Sequence, residues 1–294
     1  MSLLSTETGG MIKYLWPSDV RQLPEPAEGE GDGLATTDVP KSVEEMLGWA
    51  YVGRRMDCRD RTRRYTLFYA SPNTQPSGGL VRRVQVGIRT QGFVQRLNIS
   101  PLGNWQGTEQ TASGATQFLT IGPGNDGNFA FNAQQDALER VREFVLRLLH
   151  EEPNSRRKGG TLLFQRRVFT KFGEGISTCE MGMGDDPQGR LSRLEGKWVV
   201  KDKLAIGKLT TEGRVVRCPY ISIQRGDFVE ALVEVTVITA GPRRQVAFSL
   251  QQVVKLQEGK RERKRVESKV NCAPTQVIPG YKFDDDDADI GGET

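Results

Sequence analysis

The sequence contains a single histidine, His150, and this scarcity removes much of the chemistry that enzymes use. Zinc sites built on histidine pairs are excluded, and Ser-His-Asp or Cys-His catalysis could use only this one residue. His150 follows an amphipathic helical segment, where a cation suits the helix dipole. We therefore interpret it as a surface residue at a helix end.

Cysteine and phosphate-binding motifs are also scarce. The four cysteines are widely spaced and none forms a Cys-x-x-Cys pair, which argues against a zinc ribbon and a disulfide framework. There is no Walker-type loop, and the segment Asn-Phe-Ala-Phe-Asn is expected to separate the Gly-x-Gly-x-x-Gly pattern at 122–127 from the predicted helix. We expect no cofactor and no metal, and predict that the protein is not an enzyme. The enzymatic rival is a metal-dependent nuclease or nucleotidyl transferase that uses Asp185, Asp186 and Asp227.

Long apolar runs are absent, so the sequence predicts neither a transmembrane segment nor a signal peptide. We expect a soluble, intracellular protein of the nucleus or the cytoplasm. Hydrophobic residues make up 36% of the chain, which also contains 33 glycines and 14 prolines. This composition predicts a modest core with long polar connections.

Charge, in contrast, is abundant and segregated along the chain. Residues 1–47 hold nine acids and three bases, and residues 284–294 hold six acids and no base. The remaining 38 bases and 22 acids give residues 48–283 a net charge of +16. A body of this charge attracts polyanions, with nucleic acid first and an anionic membrane second.

Strand-like segments joined by glycine-containing turns dominate the chain, at 64–70, 81–90, 93–99, 116–121 and several places after 160. The segment 228–240 alternates most clearly. The predicted fold is mainly β with one or two helices, either an antiparallel barrel of the OB type or a sandwich. Helices are predicted at 42–51, with Ser42 and Glu45 at capping-box spacing, and at 133–152, with Asn132 as its cap.

The same patterns predict a division of the chain into four parts. Residues 1–40 are rich in Pro, Gly and acids and have no apolar period, so we expect a disordered acidic arm. An α+β domain follows at 41–152 and a β-rich domain at 161–257, separated by a linker. A charged tail completes the chain at 258–294.

Arginine and aromatic residues are interleaved in two stretches, at 54–69 and 156–172. Guanidinium groups bind phosphate oxygens and aromatic rings stack on bases, a pairing that suits single strands. In the second stretch, alternation puts Arg167, Phe169 and Lys171 on one face. The alternative is that the rings pack in the core and the cations pair with acids or protect a strand edge. We predict that one shared groove is lined by Arg54, Arg55, Arg61, Arg63, Arg64, Tyr65, Tyr69, Arg82, Arg83, Arg156, Arg157, Lys158, Arg167, Phe169, Lys171 and Trp198.

The end of the sequence joins a cationic run at 260–265 to the acidic segment Phe-Asp-Asp-Asp-Asp-Ala-Asp-Ile-Gly-Gly-Glu-Thr at 283–294. In this layout, mainly over 160–294, the chain resembles the single-stranded-DNA-binding proteins of replication systems, which couple OB-type β-domains to Asp-rich C-terminal tails. The resemblance implies a tail that occupies the groove in the absence of ligand or docks partner proteins. Those tails commonly end in an aromatic or apolar residue, whereas here Phe283 precedes the acids.

These features predict a non-enzymatic protein that binds single-stranded nucleic acid with low sequence specificity, with access modulated by the acidic tail. DNA and RNA fit the pattern equally. The alternative is a viral or mobile-element matrix, coat or movement protein that assembles on RNA or an anionic membrane. Other proteins could bind through the tail, and homo-oligomers are compatible with both functions.

Overall fold

The computed structural model describes residues 2–23, 37–54, 65–70, 83–152, 159–173, 179–200, 202–240 and 243–259. All of these belong to the first of two units, Met1–Lys260, whereas the second unit is Arg261–Thr294. The predicted charged tail at 258–294 therefore lies outside the described residues except for its first two positions.

The described residues form thirteen strands and three α-helices. The helices are α1 Val43–Trp49, α2 Glu109–Ala112 and α3 Asn128–Leu148. The strands are β1 Ser2–Leu3, β2 Thr37–Asp38, β3 Ala50–Arg54, β4 Tyr65–Tyr69, β5 Gly87–Asn98, β6 Thr116–Gly122, β7 Leu162–Arg167, β8 Phe169–Lys171, β9 Trp198–Val200, β10 Ala205–Leu209, β11 Val215–Arg217, β12 Phe228–Ala240 and β13 Arg243–Gln257.

Eleven of these strands form one sheet with the main order β11-β10-β13-β12-β5-β1-β2. Two branches extend it: β4 pairs with β12 and also with β3, and β6 pairs with β5 and also with β7. The strands β8 and β9 form a separate ribbon. Most pairs are antiparallel, but β1 is parallel to β2 and β5, and β10 is parallel to β13. The prediction of a mainly β fold with helices is confirmed, and the strands within the described ranges do not close into a barrel.

The strand β12 lies at the centre of the main core, as its alternation predicts. It forms a long hairpin with β13 and also pairs with β5 and β4. Strands from both sides of the linker at 153–160 therefore share one sheet, while the division into two domains stays a prediction. The side chains of one face of β12 are each 0% exposed: Val229, Ala231, Val233, Val235 and Val237.

The two predicted helices are present, with changed ends. In α1 the Ser42 hydroxyl accepts a hydrogen bond from the Glu45 backbone N–H at 3.2 Å, as the capping box predicts. The helix α3 begins at Asn128, before the predicted cap at Asn132, because Phe131 already belongs to its buried side and is 1% exposed. No helix in the described ranges has the length and apolar character that a membrane crossing requires.

Residues 2–23 are folded onto the sheet, which corrects the prediction of a disordered arm over 1–40. Leu3, Ile12 and Trp16 are 7%, 2% and 5% exposed. The Trp16 ring packs edge-on against Phe93 and Phe228, with ring centres 6.2 and 5.0 Å apart. These apolar residues show no helix or strand period because they lie on a short strand, turns and a 3-10 helix. The rest of the predicted arm, at 24–36, lies outside the described residues.

A second, smaller core lies beside the β8–β9 ribbon. It is separate from the main core and combines side chains of the loop after β5 with side chains from 168–200. Its buried members are Leu102, Trp105, Ala112, Ala115, Val168, Phe169, Leu194 and Val200.

Candidate nucleic-acid interface

One face of the β5, β6 and β7 strands is turned away from the core. On the inward face Leu119, Ile121 and Phe164 are each 0% exposed. The side chains that alternate with them are half-buried or exposed. We call this surface the outer face; it consists of Arg96 and Asn98 of β5, Thr116, Phe118 and Thr120 of β6, and Leu163, Gln165 and Arg167 of β7.

Phe118 lies at the middle of the outer face. The strand register pairs it with Asn98 on one side and with Gln165 on the other. Side chains opposed in this way have Cβ atoms about 4.5–5.5 Å apart. The half-buried aromatic ring is therefore flanked by two carboxamide groups.

Two arginines occupy diagonal positions around Phe118. Arg96 pairs with Thr120 across β5 and β6, and Arg167 pairs with Thr116 across β6 and β7. Diagonal neighbours on a sheet lie about 7–8 Å apart, within reach of long side chains. Both arginines are exposed, and the outer face contains no carboxylate. Its electrostatic character is therefore cationic.

A β-bulge at Gln95 changes which side chains at the end of β5 face the solvent. The register of β5 against β6 shifts by one residue between Val94 and Arg96. Side chains alternate along a strand, so without the extra residue Arg96 would point into the core and Leu97 toward solvent. With the bulge, Leu97 packs against the main core and Arg96 is exposed.

The β8–β9 ribbon continues the chain from β7 after a bend at Val168. Lys171 of β8 pairs with Trp198 of β9, and the Lys171 Nζ lies 5.9 Å from the centre of the Trp198 ring. Trp198 is half-buried against the second core, and the adjacent Phe172 is 56% exposed. The structure thus brings together two of the residues that the sequence predicts to bind nucleic acid.

Phe169 is not available for stacking, which corrects its prediction as a binding residue. It is 2% exposed, and its ring packs edge-on against Trp105 at 5.0 Å between ring centres. The predicted alternation of Arg167, Phe169 and Lys171 fails because the bend separates β7 from β8. As a result Val168 and Phe169 are both buried, while the two cations remain exposed.

The described part of the first arginine-rich stretch forms the β3–β4 hairpin. Arg54 and Tyr65 are cross-strand neighbours, and the Cζ of Arg244 lies 5.9 Å from the centre of the Tyr65 ring. Tyr69 is half-buried, and its hydroxyl forms a hydrogen bond with the Ser2 Oγ at 2.7 Å. Both rings therefore already make contacts within the chain.

The described members of the predicted set form two local pairs, and one groove shared by the whole set stays a prediction. The pair Arg54–Tyr65 belongs to the large sheet and the pair Lys171–Trp198 to the separate ribbon. Arg83 is exposed ahead of β5. Eight predicted residues lie outside the described residues: Arg55, Arg61, Arg63, Arg64, Arg82, Arg156, Arg157 and Lys158.

The carboxylates considered for a metal site form hydrogen bonds within the chain. Asp227 is 1% exposed and accepts from the backbone N–H groups of Gln224 at 2.8 Å and Gly259 at 3.0 Å. Asp185 accepts from the Lys203 Nζ at 2.7 Å, and this hydrogen bond holds the pKa of Asp185 below its ordinary value. No group of three or more His, Cys, Asp or Glu side chains in the described ranges could hold a metal ion.

Sequence reasoning missed Phe118, Arg96, Asn98 and Gln165. The segment 116–121 was predicted as a strand, but its faces were not assigned. A signal was present, because Leu119 and Ile121 alternate with threonine and phenylalanine, and a strand buries its aliphatic face.

Comparison with known proteins gives structural neighbours only. No protein-family model matches the chain, and no curated protein matches it in sequence. The solved structures that are similar include gp2.5, a single-stranded DNA binding protein encoded by bacteriophage T7, at 11% identity and a TM-score of 0.32 over 62% of this chain and 97% of that chain. They also include the single-stranded DNA-binding protein of bacteriophage Enc34 in complex with ssDNA, at 14% identity and a TM-score of 0.30 over 61% of this chain and 95% of that chain.

Both neighbours are described as single-stranded DNA-binding proteins, the class that the layout of the sequence resembles.

Proposed function

We propose that this protein binds single-stranded nucleic acid, with DNA as the first ligand, without catalysis and with low sequence specificity. The observation that supports this function best is the position of Phe118 between Arg96 and Arg167 on a face without carboxylates. An aromatic ring beside cations suits an unpaired strand, because the ring stacks on a base while guanidinium groups bind phosphates.

In the proposed binding mode the strand crosses the outer face and continues to the β8–β9 ribbon. Arg96 and Arg167 bind the backbone, Phe118 stacks on one base, and Trp198 beside Lys171 stacks on another. An OB-type arrangement, in which one face of the sheet and the adjoining loops bind an oligonucleotide, is part of the proposal, with a sandwich as its alternative. The predicted arginines outside the described residues keep their proposed role as further phosphate contacts.

The proposal includes regulation by the acidic tail. The six acids of residues 284–294 compete with phosphates for the cations of a body that carries +16. Removal of the tail should therefore raise the affinity for every single strand. The tail is also the proposed contact for partner proteins, and single-stranded RNA is the second ligand to be tested.

The decisive experiment compares Phe118→Leu with Phe129→Leu in fluorescence-anisotropy titrations of labelled single-stranded DNA, single-stranded RNA and duplex. The first variant keeps an apolar side chain on the outer face but removes the ring. Phe129 lies on α3, is 72% exposed, and provides a matched control. Loss of one base–ring stack costs about 1–3 kcal/mol, which is about a 5- to 150-fold rise in Kd.

We expect that rise for Phe118→Leu and wild-type affinity for Phe129→Leu, with thermal melting to verify that both variants fold. Wild-type affinity of a folded Phe118→Leu would refute the proposed site. Tighter binding of duplex than of single strands by the wild type would refute the proposed function.

A further inference from the structure

The strand β11 lies at the end of the large sheet and has an open edge. It pairs with β10 on one side, and no other strand of the described ranges pairs with it. Its bonds to β10 come from alternate residues. The Thr210 N–H donates to the Arg214 carbonyl at 2.8 Å, and just beyond the strand the Cys218 N–H donates to the Ile206 carbonyl at 3.1 Å.

The backbone groups of Val215 and Arg217 point to the open edge, because N–H and C=O groups alternate in direction along an antiparallel strand. A row of such groups is a template on which another extended chain can pair. The open edge of β11 can therefore accept one more strand.

Apolar side chains are exposed along this edge. Val215 and Val216 are 46% and 39% exposed, and both faces of the strand therefore present an apolar group to solvent. In the 3-10 helix shortly after β11, Tyr220 and Ile221 are 37% and 66% exposed.

Cations flank these apolar groups. Arg214 and Arg217 lie on either side of the two valines and are exposed, as is Lys208 of β10, which pairs with Val216. Residues 208–221 contain three bases and one acid, Glu212. Charged side chains alone would be explained as protection of a sheet edge. Protection does not explain four exposed apolar side chains within seven residues, a feature that is typical of an interaction surface.

The spacing of these side chains selects the kind of chain that fits. Residues 214–217 read cation, apolar, apolar, cation, a pattern that is the same in both directions. Side chains of neighbouring strands contact each other directly, so opposite charges stabilise the pairing and like charges destabilise it. A second copy of β11 would add further cations, and a nucleic acid has no peptide groups to pair with the edge. The matching segment reads acid, apolar, apolar, acid.

We propose that the β11 edge is a docking site for a partner protein, which adds an extended segment of this pattern to the sheet as a further strand. The acidic segment 284–294 of this chain does not contain the required spacing. The inference goes beyond the proposed function and concerns another surface, because β10, β13 and β12 lie between β11 and β5 in the order of the sheet.

The first test uses the full-length protein and two fluorescently labelled peptides, acetyl-Thr-Glu-Val-Val-Glu-Thr and the same peptide with lysine in place of glutamate. Anisotropy titrations should show that the wild type prefers the glutamate peptide. Arg214→Glu/Arg217→Glu removes two cross-strand charge pairs, so it should raise the Kd of this peptide about two- to thirtyfold and reverse the preference. The matched control is Lys41→Glu/Arg147→Glu, the same charge change at exposed positions before α1 and on α3, and it should keep the preference.

The second test concerns the backbone of the edge. Val215→Pro removes an N–H that points to the open edge and leaves the bonds to β10 intact, since proline is tolerated on edge strands in this orientation. It should raise the Kd of the glutamate peptide about two- to tenfold through loss of one hydrogen bond, while the affinity for single-stranded DNA stays at the wild-type value. Val215→Thr keeps both the N–H and the shape of the side chain, and should bind the peptide almost as the wild type does.

Three results would overturn the inference. The first is a wild type that does not prefer the glutamate peptide, or a folded Arg214→Glu/Arg217→Glu or Val215→Pro variant that binds it unchanged. The second is a wild-type dimer in light scattering that Val215→Pro dissociates, which would assign the edge to a second copy of the chain. The third is a loss of single-stranded DNA binding in Arg214→Glu/Arg217→Glu beyond that of the control, which would assign the edge to nucleic acid. The proposed function is tested separately by Phe118→Leu.

Discussion

The salt dependence of binding gives a quantitative prediction for the outer face. Each phosphate neutralised on a single strand contributes about 0.7 to the slope of log K against log salt concentration. The double variant Arg96→Ala/Arg167→Ala removes two exposed guanidinium groups and should lower the magnitude of this slope by about 1.4. When the salt concentration rises fourfold, the affinity of both proteins should fall. The fold-loss of the wild type should be roughly seven times that of the variant.

The assay is a set of anisotropy titrations of single-stranded DNA at several salt concentrations. The matched control is Arg147→Ala/Arg225→Ala, which removes the same charge from exposed positions on α3 and in the turn before β12. We expect the slope of the control to stay close to that of the wild type. Replacement of Arg96 and Arg167 by lysine, which keeps the charge, should also preserve the slope.

The control shows whether a change in the slope comes from the loss of phosphate contacts or from the lower net charge of the protein. Equal slope changes in the two double variants would show that the total charge of the protein, rather than contacts on the outer face, sets the salt dependence. This result would refute the placement of phosphates at Arg96 and Arg167. An unchanged slope in the outer-face variant would refute it as well.

Two other predictions concern the core and the ribbon. The guanidinium of Arg89 donates two hydrogen bonds to the Glu230 carboxylate, at 2.6 and 2.8 Å, and the two side chains are 8% and 6% exposed. Glu230→Ala should therefore lower the free energy of unfolding in urea by about 3–5 kcal/mol, because it leaves this buried guanidinium without its carboxylate. The double variant Arg89→Met/Glu230→Leu should recover most of the loss, and failure to recover it would show that the pair has a further role. Trp198→Phe should remove most of the quenching of tryptophan fluorescence by single-stranded DNA, since Trp16 and Trp105 are each 5% exposed and the half-buried Trp49 packs edge-on against Tyr69, away from the proposed binding residues. Undiminished quenching would exclude Trp198 from the interface.

The elements that the sequence predicted well are those in which local pattern and burial agree. The alternation of 228–240 marks one face of β12, which is fully buried. The Ser42 and Glu45 spacing marks the start of α1, which has the capping hydrogen bond. In each case the period of the side chains matches the geometry of a single regular element, so no tertiary information is needed.

The elements that were missed depend on tertiary contacts or on interruptions of the pattern. Trp16 is buried by Phe93 and Phe228, which are remote in sequence, so a segment without any period still belongs to the core. The bend at Val168 reverses the expected exposure of Phe169. The β-bulge at Gln95 likewise reverses which side chains at the end of β5 are exposed. A single irregular residue changes the parity of a strand, and local alternation cannot reveal where this occurs.

The sequence predicts the chemical character of the candidate site, which combines arginines with aromatic rings, but not its location on the sheet. The combination of arginines with aromatic rings identified the stretches 54–69 and 156–172, and the second contains Arg167 of β7 and Lys171 of β8. The ring at the centre of the outer face is Phe118, whose neighbours in sequence carry no charge. Its cations come from the strands on either side, and only the register of the sheet brings them together.

The most direct measurement is ultraviolet crosslinking of the full-length protein to single-stranded DNA that contains a photoreactive thymine analogue, followed by mass spectrometry of the attached peptides. Binding across the outer face predicts crosslinks to Phe118 of β6 and to Trp198 of β9. Crosslinks confined to the β3–β4 hairpin or to α3, with neither of these two residues attached, would contradict it.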